Sequence, residues 1–215
     1  MGQPKQLLQL GGRALAGWSL EVLAQADRVD AIVIACEADD LPAFEALARE
    51  HGRGKVYAVV PGGARRQDSV FAALRRAPDN TDVVVVHDGA RPFVRPDLLR
   101  QVIDESAKSG AAIAAVPVKD TIKDVNEHGS IVRTIPRDRL WAAQTPQAFV
   151  RDVLFRAHEQ AEAAGFVGTD DAEIVERFGG ILPVITASSY DNLKITTPDD
   201  MLIAERILAT HAHPM

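Results

Sequence analysis

The sequence predicts a three-layer α/β fold, a doubly wound and mostly parallel sheet carrying a protruding β-ribbon arm. Three observations lead there. Short apolar runs alternate with amphipathic helical patterns along most of the 215 residues. One run, Val83-Val84-Val85-Val86, stops abruptly in His87-Asp88-Gly89-Ala90-Arg91-Pro92. The alternation breaks once, between residues 118 and 146. Strand and helix in alternation imply right-handed crossovers and a sheet covered on both faces. In such sheets ligands bind in the crevice outside the carboxyl ends of the strands, which is where Asp88 falls.

Taken in order, Ala31 to Cys36, Val56 to Val60, Asp82 to Val86 and Ala111 to Val116 read as strands, apolar and rich in β-branched residues. Between them Leu41 to His51, Gln67 to Ala77 and Pro96 to Ser109 read as amphipathic helices with a proline or polar start. The interruption holds two alternating runs, 118–123 and 131–135, joined by Asn126-Glu127-His128-Gly129, a hairpin turn. A two-stranded ribbon is marginal alone, so it must lie on something: a partner subunit, or its own domain. Helices resume over Asp152 to Ala164, Asp170 to Phe178 and Pro198 to Thr210, where Thr197 is an N-cap and Pro198 a first-turn residue. Ile181 to Thr186 reads as a last strand.

Composition narrows the function classes. With 47% hydrophobic residues the chain buries the core of one domain, residues 1–215, with 118–146 as its arm. A net charge of -6 argues against a nucleic-acid partner, since polyanion binders show a basic excess. Cys36 is the one cysteine and lies in an apolar run, so no intrachain disulfide forms and a buried structural thiol is expected. No apolar run reaches the length of a membrane span and the N-terminus lacks a secretory signal; a cytoplasmic protein with no membrane partner is the expectation. For Asp88 two readings stand: a strand-end carboxylate for a metal or phosphate site with Gly89 and Arg91 beside it, or a turn former beside an arginine paired to a surface acid.

Several stretches occur in one order: Pro4-Lys5-Gln6-Leu7-Leu8; Pro61-Gly62-Gly63 with Arg66-Gln67-Asp68-Ser69-Val70; residues 86–92; residues 117–123; Leu140-Trp141 through Gln144-Thr145-Pro146-Gln147-Ala148-Phe149; Thr169-Asp170-Asp171-Ala172; and Asn192-Leu193-Lys194-Ile195-Thr196. In these the chain resembles the 2-C-methyl-D-erythritol 4-phosphate cytidylyltransferase family, from Pro4 to about Leu208. The resemblance implies a Rossmann-like nucleotidyltransferase that joins CTP to methylerythritol phosphate and releases pyrophosphate. It implies Lys5 and Lys194 as catalytic cations at the CTP phosphates. Asp88 would be a magnesium ligand, with Asp191 a second, and Gly62, Gly63, Ser69 and Gly89 would meet the nucleotide. Thr121, Arg137, Thr145 and Thr169 would hold the substrate, Arg137 as a catalytic cation whose planar fork suits a phosphate. In that family the ribbon crosses to a second subunit, so a homodimer is implied. The other readings are plain ones: Lys5 and Lys194 as solvated lysines, Gly62-Gly63 as an ordinary turn, Thr121 as a strand former.

One departure is large. The family begins with an apolar strand and a glycine-rich loop ahead of the Pro-Lys-Gln motif, and here Met1 stands where that loop would end. The expectation is a truncated chain, or one with a miscalled start, with weaker hold on the triphosphate and unpaired strand edges. A smaller departure is Ala64, where relatives carry an acid. Two further readings follow: a cytidylyltransferase for another polyol phosphate such as ribitol 5-phosphate, or a catalytically impaired dimer.

Overall fold

A computed structural model describes residues 4–211, so Met1, Gly2 and Gln3, where the glycine loop was expected to end, lie outside the described residues. A short 3-10 turn, Lys5–Leu7, leads into a small hairpin of β1 (Gln9–Leu10) and β2 (Arg13–Ala14) and then into helix α1 (Leu15–Gln25). There follow β3 (Ile32–Cys36), α2 (Leu41–His51), β4 (Val56–Pro61), α3 (Arg66–Arg76), β5 (Val83–Val86), α4 (Pro96–Ser109) and β6 (Ala111–Pro117). The ribbon is β7 (Ile122–Val125) and β8 (Ile131–Ile135), and β9 (Trp141–Val150), α5 (Arg151–Ala163), α6 (Asp171–Phe178), β10 (Val184–Ala187) and α7 (Pro198–His211) complete the order.

Helices cover both faces of the main sheet, as the alternating pattern requires. Along β5 the valines divide by parity: Val83 and Val85 pack with Leu98 and Val102 of α4, while Val84 and Val86 face Phe71 and Leu74 of α3 and the α5–α6 layer. Ala111 and Ile113 go one way and Ala112 and Ala114 the other along β6, which is buried until Pro117. The period of two along a strand thus builds two apolar layers from one sheet.

The sheet is mixed. Its strand order is β10-β6-β9-β5, with β10 parallel to β6 but β9 antiparallel to both β6 and β5. No expectation covered β9, because the run from Trp141 to Val150 contains Gln144, Pro146 and Gln147 and does not look like a core strand. All three are buried, and the polar ends of the two glutamines are taken up by hydrogen bonds to neighbouring segments. Helix α1 and the β1–β2 hairpin were likewise unread. β3 and β4 form a separate parallel pair, with α1 over one face (Leu20, Ala24 on Ile32) and α3 against the pair as well as against β5. Among the described residues β5 pairs on one edge, with β9, and β3 on one edge, with β4.

Smaller differences have local causes. The first ribbon strand begins at Ile122 rather than at residue 118, because Val118 donates to the Leu140 carbonyl at the ribbon's root. The last strand begins at Val184, after Pro183, which has no N–H to give. The ribbon turn forms as read: Asn126 Oδ1 accepts from His128 and Ser130 N–H, and Gly129 adopts φ +75°, open to glycine without strain. No helix among the described residues is long and apolar enough to cross a membrane.

Candidate active site

The loop after β5 gathers one carboxylate and three cations. Asp88 Oδ2 lies 3.0 Å from Lys194 Nζ and 3.4 Å from Arg91 Nε, and its Oδ1 lies 3.3 Å from Arg66 Nε. Burial alone would push this carboxyl up; Lys194, then Arg66 and Arg91, outweigh it and hold the group below the usual carboxylate range. The turn-former reading of Asp88 also holds in one respect, since its carbonyl accepts from Arg91 N–H. Its carboxylate, though, is committed to three cations, none of them a surface acid's partner.

The loop is held from behind by hydrogen bonds whose direction can be assigned. His87 Nε2 faces the Arg91 carbonyl at 3.2 Å, and a carbonyl only accepts, so Nε2 donates. Nδ1 is then the acceptor, and Thr145 Oγ1 donates to it at 3.0 Å while accepting from Asp88 N–H at 3.0 Å. Burial pushes the His87 imidazole down to about 4, even with the Arg91 carbonyl and Asp88 favouring its charge. Thr145 is buried and its hydroxyl is spent on this chain. It stands as a strut behind Asp88.

A second tie fixes Lys194. Arg91 Nη1 donates to the Asn192 carbonyl and Ile195 N–H to the Ala90 carbonyl, so segment 192–195 lies along the Asp88 loop. Asn192, itself buried, donates from Nδ2 to Thr145 O and to Gln144 Oε1. The polar residues of β9 are thus what seats both halves of the site.

The glycine turn before α3 is tied to that helix. Gly63 N–H donates to Ser69 Oγ at 3.1 Å, and a Cβ on Gly62 would come within 2.5 Å of the same oxygen. A side chain at Gly62 would have to displace the Ser69 hydroxyl, and one at Gly63 would collide with Asp68. At Gly89 a methyl would meet only Gln6 and Ala16 at ordinary distance, so nothing in the fold itself demands glycine. The same proximity puts the exposed Lys5–Leu7 turn beside the Asp88 loop.

Asp88, Lys194, Gly89 and Thr145 are brought together, with Lys5 adjacent; Gly62, Gly63 and Ser69 join them through Arg66, two residues beyond Ala64 on α3. Asp191 is not joined to Asp88. It is exposed and lines a separate cavity of about 290 Å³ with Phe93, Arg95 and Ser189. Thr121 and Arg137 stand at the exposed root of the ribbon, where Arg137 donates to the Lys119 carbonyl and Lys119 lies 3.3 Å over the Tyr190 ring, without contact to Asp88. Thr169 is exposed and donates from N and Oγ1 to Glu173. Two charged residues behind the site were not anticipated: Arg66 as a partner of Asp88, and Asp171, fully buried, 2.7 Å from Arg66 Nη1. Each lay inside a quoted motif, yet nothing in either motif says that they meet across 105 residues.

A mixed α/β sheet that presents a carboxylate among three cations at a strand's carboxyl end, beside a glycine turn locked to a helix, defines an enzyme of the nucleotidyltransferase class. The model of the family described as IspD, 2-C-methyl-D-erythritol 4-phosphate cytidylyltransferase, matches residues 1–210. The chain is 46% identical over 207 residues to the 2-C-methyl-D-erythritol 4-phosphate cytidylyltransferase of Shouchella clausii, covering 96% of this chain and 89% of that one. Its fold is similar to the 4-diphosphocytidyl-2C-methyl-D-erythritol synthase of Anaerococcus prevotii (TM-score 0.87, 29% identity, 94% and 88% of the two chains). It is also similar to the cytidylyltransferase of Thermus thermophilus (TM-score 0.81, 32% identity, 96% and 94%). This chain belongs to the 2-C-methyl-D-erythritol 4-phosphate cytidylyltransferase family.

Proposed function

We propose that this protein transfers the cytidylyl group of CTP to 2-C-methyl-D-erythritol 4-phosphate, giving 4-diphosphocytidyl-2-C-methyl-D-erythritol and pyrophosphate in the making of isoprenoid precursors. The observation that carries this is Asp88 among Lys194, Arg66 and Arg91 in a chain whose family match runs over residues 1–210. An oxygen of the acceptor phosphate attacks the α-phosphorus of CTP, the new P–O bond forms, and the bond to the β-phosphate breaks. Both reactants are anions, so the chain's task is to bring them together and to stabilise charge on the transferred phosphoryl group. Lys194, 40% exposed, reaches Asp88 at 3.0 Å and is placed to exchange that partner for an α-phosphate oxygen; Lys5 would meet the outer phosphates.

Magnesium suits the donor set. Among the described residues no three His, Cys, Asp or Glu side chains stand together, so there is no all-protein cage. Magnesium is held in nucleotide sites by one or two carboxylates together with waters and substrate phosphates. Asp88 would hold it, with Asp191 as a second ligand only if the 189–191 turn moves. When bound, it neutralises phosphate charge and makes the phosphorus more electrophilic.

We assign the acceptor phosphate to Thr121, Arg137 and Thr169, and the ribbon at 118–146 to a homodimer in which it completes the neighbour's site, within one domain spanning the chain and working in the cytoplasm. The support is that Val125, Ile131 and Val132 on the ribbon are more than half exposed, apolar surface that a partner would cover. Pyrophosphate release from CTP, methylerythritol phosphate and magnesium tests the reading, with ribitol 5-phosphate as the competing acceptor. Turnover that is specific for methylerythritol phosphate and abolished by chelation is expected; preference for ribitol phosphate would overturn the acceptor.

A further inference from the structure

Behind the charged loop lies a second ionic layer that the reaction does not use directly. Asp171, in the first turn of α6, has no exposed side-chain surface. Its Oδ2 accepts from Arg66 Nη1 at 2.7 Å and its Oδ1 from Nε2 of His158, a histidine of α5 that is also fully buried, at 3.2 Å. His158 makes no other polar contact: its Nδ1 has no hydrogen-bond partner among the described residues, and its ring stacks on Phe71 of α3 at 5.2 Å. A buried histidine with one polar contact serves that contact. Arg66 in turn divides its guanidinium between Asp171 and Asp88.

Arg66 does not stand there for the helix. It is the first residue of α3, where the helix dipole disfavours a cation. The neighbouring polar groups hold the two elements in register: Gln67 donates to Phe166 O and accepts from Gly168 N–H, while Gln147 of β9 donates to Asp170 Oδ2 and accepts from Ala172 N–H. Three cations therefore share two carboxylates, and among the described residues Asp171 is the one carboxylate besides Asp88 that pairs with any of them.

We infer that Asp171, fixed by His158, is a positioning residue that holds Arg66 back from Asp88, so that Asp88 keeps enough negative charge to bind a divalent cation with the nucleotide. The functional half of this rests on the nucleotide reading above; the relay itself does not. Without Asp171 the Arg66 guanidinium closes on Asp88 as a two-point partner and competes with the cation. Asp171→Asn keeps the shape and removes the charge.

The relay is tested in the unliganded protein by a thermal-melting cycle of Asp171→Asn and Asp88→Asn. Either carboxylate alone can still satisfy Arg66, so the double variant should lose more than the two singles together, by roughly 2 °C or more in Tm, and the excess should vanish when Arg66→Met is added. Additive losses would overturn the relay. Should Asp171→Asn fail to fold, His158→Asn, which withdraws the Nε2 donor and leaves the carboxylate, repeats the cycle with smaller amplitude in the same direction. The second arm titrates Mn2+ by electron paramagnetic resonance in the presence of CTP. Asp171→Asn should weaken Mn2+ about tenfold, with kcat at saturating metal and the acceptor KM within about threefold of the parent. A loss of kcat that metal does not restore would mean a merely structural residue and overturn the inference. Non-additive melting with no CTP-dependent Mn2+ site in the parent would leave the relay standing and sink the nucleotide reading; additive melting with a good Mn2+ site would do the reverse.

Discussion

Asp88 is stabilised as an anion by a balance that single substitutions should expose. Its burial works against the charge and three cations work for it, so removing the carboxylate leaves Arg91, itself mostly buried, with its Asn192 carbonyl contact and no anion. Asp88→Asn should lower kcat/KM by about 10²-fold or more, as should Lys194→Met, the first with a loss of metal dependence and the second at saturating metal; steady-state kinetics across a magnesium series separates them. His87 adds a pH dependence. Its folded value is about 4 against an ordinary 6.5, so as pH falls through 6.5 the unfolded chain takes up a proton that the folded chain refuses until about 4. The stabilisation is complete above 6.5, is lost progressively down to 4, and amounts to at most about 3 kcal/mol. His87→Gln, which keeps a donor for the Arg91 carbonyl, should flatten the melting-temperature profile between those limits. Asp88 contributes a second loss only below its ordinary value of 3.8, as pH falls through its depressed folded value.

At the scale of elements, the site is assembled by strands and turns that differ in how legible they were. The Val83 to Val86 strand and its Asp88 ending could be read because four β-branched residues followed by a charged turn have few other uses. Helices 41–51 and 96–109 matched to the residue, since proline openings and, at Gly110, a left-handed C-cap mark their ends. β9 could not be read this way. Its glutamines and Thr145 are buried because Asp170, Ala172 N–H, Asn192 and Asp88 N–H satisfy them, and those partners lie tens of residues away. The Arg66–Asp171 pair was hidden for the same reason. By contrast the Gly62 turn was legible in kind but not in cause: its glycine answers to Ser69 Oγ. Gly62→Ala should displace the Ser69 hydroxyl from the turn, lowering stability by about 1–3 kcal/mol and weakening CTP binding in isothermal titration, while Gly89→Ala should leave stability nearly unchanged.

At the scale of the whole molecule, the ribbon exposes apolar surface and the sheet is split. Ile131 and Val132 are exposed in the single subunit, so replacing both by aspartate should leave the subunit folded and lower its melting temperature only by the stabilisation a partner contributes. It should shift the sedimentation coefficient from dimer to monomer and remove activity; an unchanged dimer would separate the ribbon from assembly. The split sheet has a consequence for the motions of the backbone. Along any strand successive N–H groups point to opposite sides, and β5 gives one side to β9 while its other side meets no strand among the described residues. Its amides should therefore divide by parity in hydrogen–deuterium exchange: those turned to β9 should persist with the slow core of β6, and those between should exchange on the timescale of surface loops. The strand that delivers Asp88 would then be slow and fast at alternate residues, and the loop beyond it would inherit its freedom from that open edge.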